Sequence, residues 1–165
     1  LYNAGLRSDA ANGIACWDVT KGKAGSLRRH EDGWGLDSAA ITRLESAPTA
    51  LPRNGKDRDT PFCLTLAVRP GPDGEPASLR VVVRRSLGPK VDYELGRHLL
   101  HRDQIPVDVM LDQTVTVDAT TSDEVVLPFA GGKAQGELDG ATAWVTLEPV
   151  TGVSVLRSVS LKRVP

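Results

Sequence analysis

The sequence predicts an all-β domain built as a sandwich. Short runs of strand-forming residues recur along the chain, 16 glycines and 11 prolines supply the turns between them, and helical periodicity is weak. Recurring short strands without alternating helices favour a sandwich or barrel over an α/β fold. The 165 residues fit a single domain, 1–165, long enough to bury about two-thirds of the surface that the unfolded chain exposes.

Seven strands are predicted from hydrophobic runs and from alternation at period two. In Ala141 to Leu147, Trp144 falls on the face opposite Ala143, Val145 and Leu147. In the last run Arg157 interrupts an apolar face, which predicts a bulge near Leu156. The predicted strands are Phe62 to Val68, Ser78 to Arg84, Val107 to Leu111, Thr114 to Val117, Glu124 to Leu127, Ala141 to Leu147 and Val153 to Lys162.

Three connecting segments are assigned from their composition. Pro70 to Gly74 carries strong turn chemistry and predicts a hairpin connection. Asp37 to Ser46 has apolar residues at helical spacing and predicts one short amphipathic turn of helix. Ala47 to Thr60, with two prolines and Asn54-Gly55, predicts a long surface loop.

Charge and hydropathy restrict the partners. The net charge is −1 with acidic and basic residues scattered along the chain, so no broad positive field gathers nucleic acid. No apolar run approaches the roughly 20 residues of a spanning helix, and membrane insertion is not expected. Cys16 and Cys63 lack metal-site spacing, which leaves two readings open: buried small hydrophobes, or a disulfide in an oxidising compartment.

The chain resembles the galactose-binding-like, jelly-roll carbohydrate-binding modules found on glycoside hydrolases, cell-surface proteins and phage tail proteins. The resemblance rests on the opening Asn3-Ala4-Gly5, the later Trp17, the paired runs from Pro61 and Leu79, and the last two strands. It implies a jelly-roll sandwich in which Trp17 closes one end of the core. Arg157-Ser158 replaces an acidic pair with which the family commonly holds structural calcium, and a hard cation needs several carboxylates, so we expect that site to be missing.

Sugar recognition usually combines aromatic rings with polar side chains, and only 4% of this chain is aromatic. Trp17 and Trp144 are expected in the core. Trp34 lies in a polar loop, as either an exposed platform or a ring tucked in to anchor the loop. The candidate ligand-binding residues are Trp34, Tyr93, Asp32, Asp92 and Arg85.

Catalytic and metal motifs are weak. No nucleophile elbow, phosphate-cradling loop or defined acid pair is found, and Glu31, Asp32 and Asp37 are most simply solvated loop acids. His98, His101 and Asp103 have a spacing that suits a metal only on a helix, and a solvated loop is favoured. We therefore expect no enzyme activity, no metal and no cofactor.

Two functions remain in different classes. The leading interpretation is a non-catalytic, glycan-binding recognition module of an extracellular or virion protein. The alternative is a structural virion component, such as a phage tail or capsid-decorating protein, whose sandwich packs against neighbouring subunits in a homo-oligomer or larger assembly.

Overall fold

The structure is a computed structural model that describes residues 17–23, 26–50, 61–86, 107–121, 123–131 and 142–164. Within these ranges the regular structure consists of eleven strands and no helix. The strands are β1 (Trp17–Gly22), β2 (Arg28–His30), β3 (Gly33–Asp37), β4 (Ile41–Ser46), β5 (Thr49–Ala50), β6 (Pro61–Pro70), β7 (Ala77–Ser86), β8 (Val107–Val117), β9 (Glu124–Ala130), β10 (Thr142–Thr151) and β11 (Val153–Arg163).

The strands form two antiparallel sheets. Sheet A has the order β1-β4-β10-β7-β8, with β5 also pairing with β10, and sheet B has the order β2-β3-β11-β6-β9. Without β1, β2 and β5, the remaining eight strands are distributed in chain order as 2-7-4-5 in sheet A and 1-8-3-6 in sheet B. That arrangement is the double Greek key of a jelly roll. The predicted all-β sandwich is confirmed.

The core lies between the sheets because alternate residues of each strand turn inward. Leu64 and Leu66 of β6 in sheet B join Leu79 and Val81 of β7 in sheet A in one buried cluster. Trp17 belongs to the same cluster, as predicted. The inner faces therefore hold the fold together and leave the outer faces free to vary in chemistry.

Two predictions for connecting segments are wrong. Asp37 to Ser46 contains β4 rather than a helical turn, because Thr42 is an extra residue where β4 pairs with β1, and this bulge gives Ile41 and Leu44 a helix-like spacing. The segment Pro70 to Gly74 does contain a turn, in which the Gly74 amide donates to the Gly71 carbonyl at 2.9 Å. It is not a hairpin, since β6 and β7 belong to different sheets.

The predicted bulge in the last strand is confirmed. The register of β11 against β6 shifts between Leu156 and Ser158, which leaves Arg157 unpaired in the ladder. The shift lets both Leu156 and Val159 enter the core despite their odd spacing. The segment Ala47 to Thr60, predicted as a loop, begins with buried Ala47 and includes β5, and residues 51–60 lie outside the described residues.

Candidate binding face

The outer face of sheet A carries a grid of polar side chains. Because Ala143, Val145 and Leu147 enter the core, Trp144, Thr146 and Glu148 of β10 turn to the opposite side. Their cross-strand partners share that side. The grid has three rows: Trp144, Arg84 and Val109; Glu45, Thr146, Val82 and Asp112; and Arg43, Glu148, Arg80 and Thr114. We call this set the sheet A face.

The third row is joined by ion pairs that cross four strands. Arg43 Nε donates to Glu148 Oε1 at 2.9 Å, and Arg80 Nη1 donates to Glu148 Oε2 at 3.1 Å. Arg80 also donates two hydrogen bonds to Asp112 of the middle row, from Nε to Oδ1 at 2.8 Å and from Nη2 to Oδ2 at 2.6 Å. The paired geometry fixes the planes of the guanidinium and carboxylate groups, so their remaining donors and acceptors point in defined directions.

The middle row is more buried. Arg84 Nη1 donates to Thr146 Oγ1 at 2.7 Å, and the Thr146 hydroxyl donates to Glu45 Oε1 at 3.2 Å. The bond to Thr146 places the Arg84 guanidinium beside the cross-strand pair of Thr146 and Val82. Thr146, Val82 and Glu45 are all buried. The face thus has a buried polar centre and a rim, formed by Arg80 and Asp112, that is exposed to solvent.

Trp144 lies at one end of the grid and is 2% exposed. It was expected in the core. It is buried as predicted, but it lies on the face opposite Ala143 and Val145 and outside the cluster between the sheets. Its indole Nε1 has no hydrogen-bond partner. A buried N–H without an acceptor costs about 1–3 kcal/mol, so the end of the sheet A face next to Arg84 contains an unused donor.

The charges of the sheet A face perturb each other. Hydrogen bonding to Arg80 lowers the pKa of Asp112 below its ordinary 3.8, and the same pair raises the pKa of Arg80. Burial lowers the pKa of Arg84, an effect that nearby Arg43 increases. At neutral pH the face therefore presents the ionised Asp112 carboxylate beside the Arg80 guanidinium, which together offer an acceptor and donors for hydroxyl groups.

Two of the predicted ligand-binding residues belong to the β2–β3 hairpin of sheet B, Trp34 in β3 and Asp32 in the turn, and both have partners there. Trp34 is 4% exposed and belongs to the core, with the Arg29 guanidinium 5.3 Å from its ring centroid. The tucked-in alternative is therefore the observed one, and the ring offers no exposed platform. Asp32 accepts two bonds from Arg69, at 2.7 and 2.8 Å, which lower its pKa.

Arg85 lies in the other sheet and has a structural position. It is buried, and it donates to the Gly131 carbonyl at 2.8 Å and to Asp108 Oδ2 at 3.0 Å. Because Gly131 follows β9 of sheet B, Arg85 links the two sheets at one end of the core. Tyr93 and Asp92 lie outside the described residues. The structure therefore does not bring Trp34, Asp32 and Arg85 into one site.

Sequence reasoning missed most of the sheet A face. One usable signal was even spacing, which puts side chains of a strand on one face. It relates Arg80 to Arg84 in β7 and Thr146 to Glu148 in β10, and so indicates a polar outer face. Arg43 and Glu45 were obscured by the incorrect helical assignment of their segment. The partners of each strand could not be read from the sequence.

Other sequence features give no site. Within the described ranges, no cluster of three or more His, Cys, Asp and Glu side chains is arranged to hold a metal ion, and no helix long and apolar enough to cross a membrane occurs. His98, His101 and Asp103 lie outside those ranges, as does Cys16. Cys63 is a partly buried free thiol on β6.

Comparison with known proteins gives a likeness among solved structures only. No protein-family model matches the chain, and no curated protein matches it. Among solved structures, the chain is similar to the CBM22-1 xylan-binding domain from Paenibacillus barcinonensis Xyn10C, with 13% sequence identity and a TM-score of 0.37. The match covers 88% of this chain and 90% of that chain. A likeness at this level does not establish a common family or a common ligand.

Proposed function

We propose that this chain is a non-catalytic recognition module of an extracellular or virion protein, and that it binds a glycan across the sheet A face. The observation that carries the proposal is the hydrogen-bonded grid on that face, in which Arg80 and Asp112 form an exposed rim around a buried centre. Glycan hydroxyls need donors and acceptors at fixed positions, and fixed guanidinium and carboxylate planes supply both.

The dimensions of the face suit an extended ligand. Because Trp144, Thr146, Val82 and Glu45 are buried, the accessible part of the face is the strip formed by Arg80 of β7 and by Val109, Asp112 and Thr114 of β8. From Val109 to Thr114 this strip is about 17 Å long, at about 3.4 Å per residue. A surface of this kind favours an oligosaccharide lying flat over a small molecule held in a pocket.

The experiment is a glycan-array screen of the isolated chain, followed by calorimetric titration of any glycan retained. Arg80→Gln removes the bidentate pair with Asp112, and we expect at least a tenfold loss of affinity. Arg157→Gln is the control, because Arg157 lies on β11 of sheet B and forms a single side-chain bond, to Asp123 at 3.1 Å. Its affinity should stay within twofold of wild type. Equal losses in both variants would overturn the sheet A assignment.

The second candidate function, a structural virion component, is favoured by one observation. Val109 of β8 is 52% exposed on the sheet A face, and β8 is the edge strand of that sheet. A neighbouring copy that covers this edge must bury about 800 Å² per partner for a stable assembly. Light scattering after size exclusion distinguishes the candidates: a defined oligomer that retains no glycan and dissociates in Val109→Lys supports assembly and contradicts glycan recognition.

A further inference from the structure

A strongly basic stretch lies at the opposite edge of the sandwich. From Lys21 to His30 the sequence contains two lysines, two arginines and no acidic residue. Lys21, Lys23, Arg28 and Arg29 are all exposed, and we call these four residues the basic edge. β1 and β2 are the outermost strands of sheets A and B on this side. The Ser26 amide donates to the Lys23 carbonyl at 3.2 Å, which turns the chain from one sheet to the other.

The described neighbours of the basic edge do not neutralise its charge by ion pairing. Among the described residues, no carboxylate forms an ion pair with any of the four cations. Two nearby acids interact with Arg69 instead. Asp32 forms an ion pair with Arg69, and the charge of Glu31 helps to raise the pKa of the same arginine. Asp37 accepts a bond from the Ala39 amide at 2.8 Å. Four exposed cations, carried by β1, β2 and the segment between them, attract anionic groups.

Part of this edge is preorganised. The Arg29 guanidinium lies 5.3 Å from the Trp34 ring centroid, and contact with an aromatic ring restricts an otherwise flexible side chain. A guanidinium presents a planar fork of donors that matches carboxylate and sulfate oxygens, whereas lysine ammonium groups act as point charges. The basic edge combines both kinds of contact.

The basic edge is continuous with the sheet A face. Lys21 of β1 is the cross-strand partner of Arg43, and Arg43 begins the row that continues through Glu148 to Arg80. A chain lying across sheet A along this row would meet Lys21 on β1. It would then turn around the edge of the sandwich to meet Arg28, whose partner Gly35 lies on the outer side of sheet B. We propose that the ligand is an acidic polysaccharide, with uronate or sulfate groups, that crosses the sheet A face and binds through its anionic groups to the basic edge.

This inference rests on the proposed glycan recognition and narrows its substrate class. A nucleic acid is a weaker choice because the net charge of −1 provides no wider positive field. Several exposed cations acting on a repeating anion give binding that salt screens, since the Debye length falls from about 10 Å at 0.1 M salt to about 3 Å at 1 M.

The test is calorimetric titration with polygalacturonate, its fully methyl-esterified form and a single-stranded DNA oligonucleotide of similar charge. We expect polygalacturonate to bind, with affinity that falls at least fivefold between 50 and 500 mM NaCl, about as an exposed, screened contact should. The esterified polymer should bind at least tenfold more weakly. Lys21→Glu with Arg28→Glu should weaken polygalacturonate binding about tenfold, equal to about 1.4 kcal/mol.

The matched control is Lys162→Glu with Arg163→Glu, the same charge change at two exposed cations near the end of β11, which should leave affinity within twofold. Neutral glycans bound in preference to polygalacturonate, or equal effects of the two double variants, would overturn the acidic-ligand inference and leave the proposed function standing. DNA bound as tightly, with the same dependence on Lys21 and Arg28, would overturn the choice of a polysaccharide. Failure of every glycan would overturn both proposals.

Discussion

Thr146→Val tests whether the polar centre of the sheet A face is an integral part of the fold. Thr146 is fully buried and bridges Arg84 and Glu45 through bonds of 2.7 and 3.2 Å. Valine has nearly the same shape, so the change removes the hydroxyl and both bonds while keeping the volume. A hydrogen bond to a charged group contributes about 1.5–3 kcal/mol. With a partial gain from the added apolar group, we expect a net loss of about 3 kcal/mol.

The assay is urea and thermal unfolding followed by circular dichroism. For a chain of this size a 3 kcal/mol loss lowers the melting temperature by about 6–12 °C. Thr116→Val on β8 is the matched control, because Thr116 is an exposed strand residue, and it should change stability by less than about 0.5 kcal/mol. Thr146→Ser keeps the hydroxyl and should recover most of the loss. A loss for Thr146→Val no larger than that of the control would refute the reasoning.

Three further predictions concern stability. Gly152→Ala should lower the free energy of unfolding in urea by about 2–4 kcal/mol, and Gly74→Ala by only about 1 kcal/mol. Both glycines have positive φ (69° and 74°), but of the two only Gly152 has a backbone atom, Pro76 O at 2.9 Å, in the way of the new Cβ. Equal losses would contradict this steric account. Leu156→Ala should lose about 2–5 kcal/mol because the side chain is fully buried between the sheets, whereas the same change at exposed Val126 should stay within about 0.5 kcal/mol. Arg69 and Arg80 lower the pKa values of Asp32 and Asp112. The stability that these two ion pairs add is therefore present above the ordinary pKa of 3.8 and is lost as pH falls through the lower pKa of the folded state. In a pH series of unfolding, Asp112→Asn should lose less stability on acidification than wild type, and an unchanged profile would count against the pair.

Strand prediction succeeded where the alternation was regular. Phe62 to Val68 lies within the longer β6, and Val153 to Lys162 nearly coincides with β11, including the bulge near Leu156. It failed at Ile41 to Ser46 because the extra residue Thr42 breaks the period of two. A bulge is set by pairing with another strand, so the sequence of β4 alone carries no clear signal of it.

The candidate site was predicted less well than the fold. Trp34 was open to two readings from its sequence neighbours, and its burial depends on packing between the sheets and on contact with Arg29. Arg85 was proposed as a ligand contact, yet it bonds to Gly131, 46 positions away in sequence. A polar residue within a strand has the same sequence signature whether it faces a ligand or joins two sheets.

The sequence by itself determined the all-β class, most of the long strands and the inward faces of the regularly alternating ones, because side-chain alternation and turn chemistry are local properties. Only the tertiary structure decided which strands are neighbours, and hence that Arg43 meets Glu148 across 105 positions and Arg84 meets Thr146 across 62. In a jelly roll, neighbouring strands are mostly distant in sequence, and their register depends on how the two inner faces pack. The sheet A face and its continuity with the basic edge therefore exist only in the folded chain.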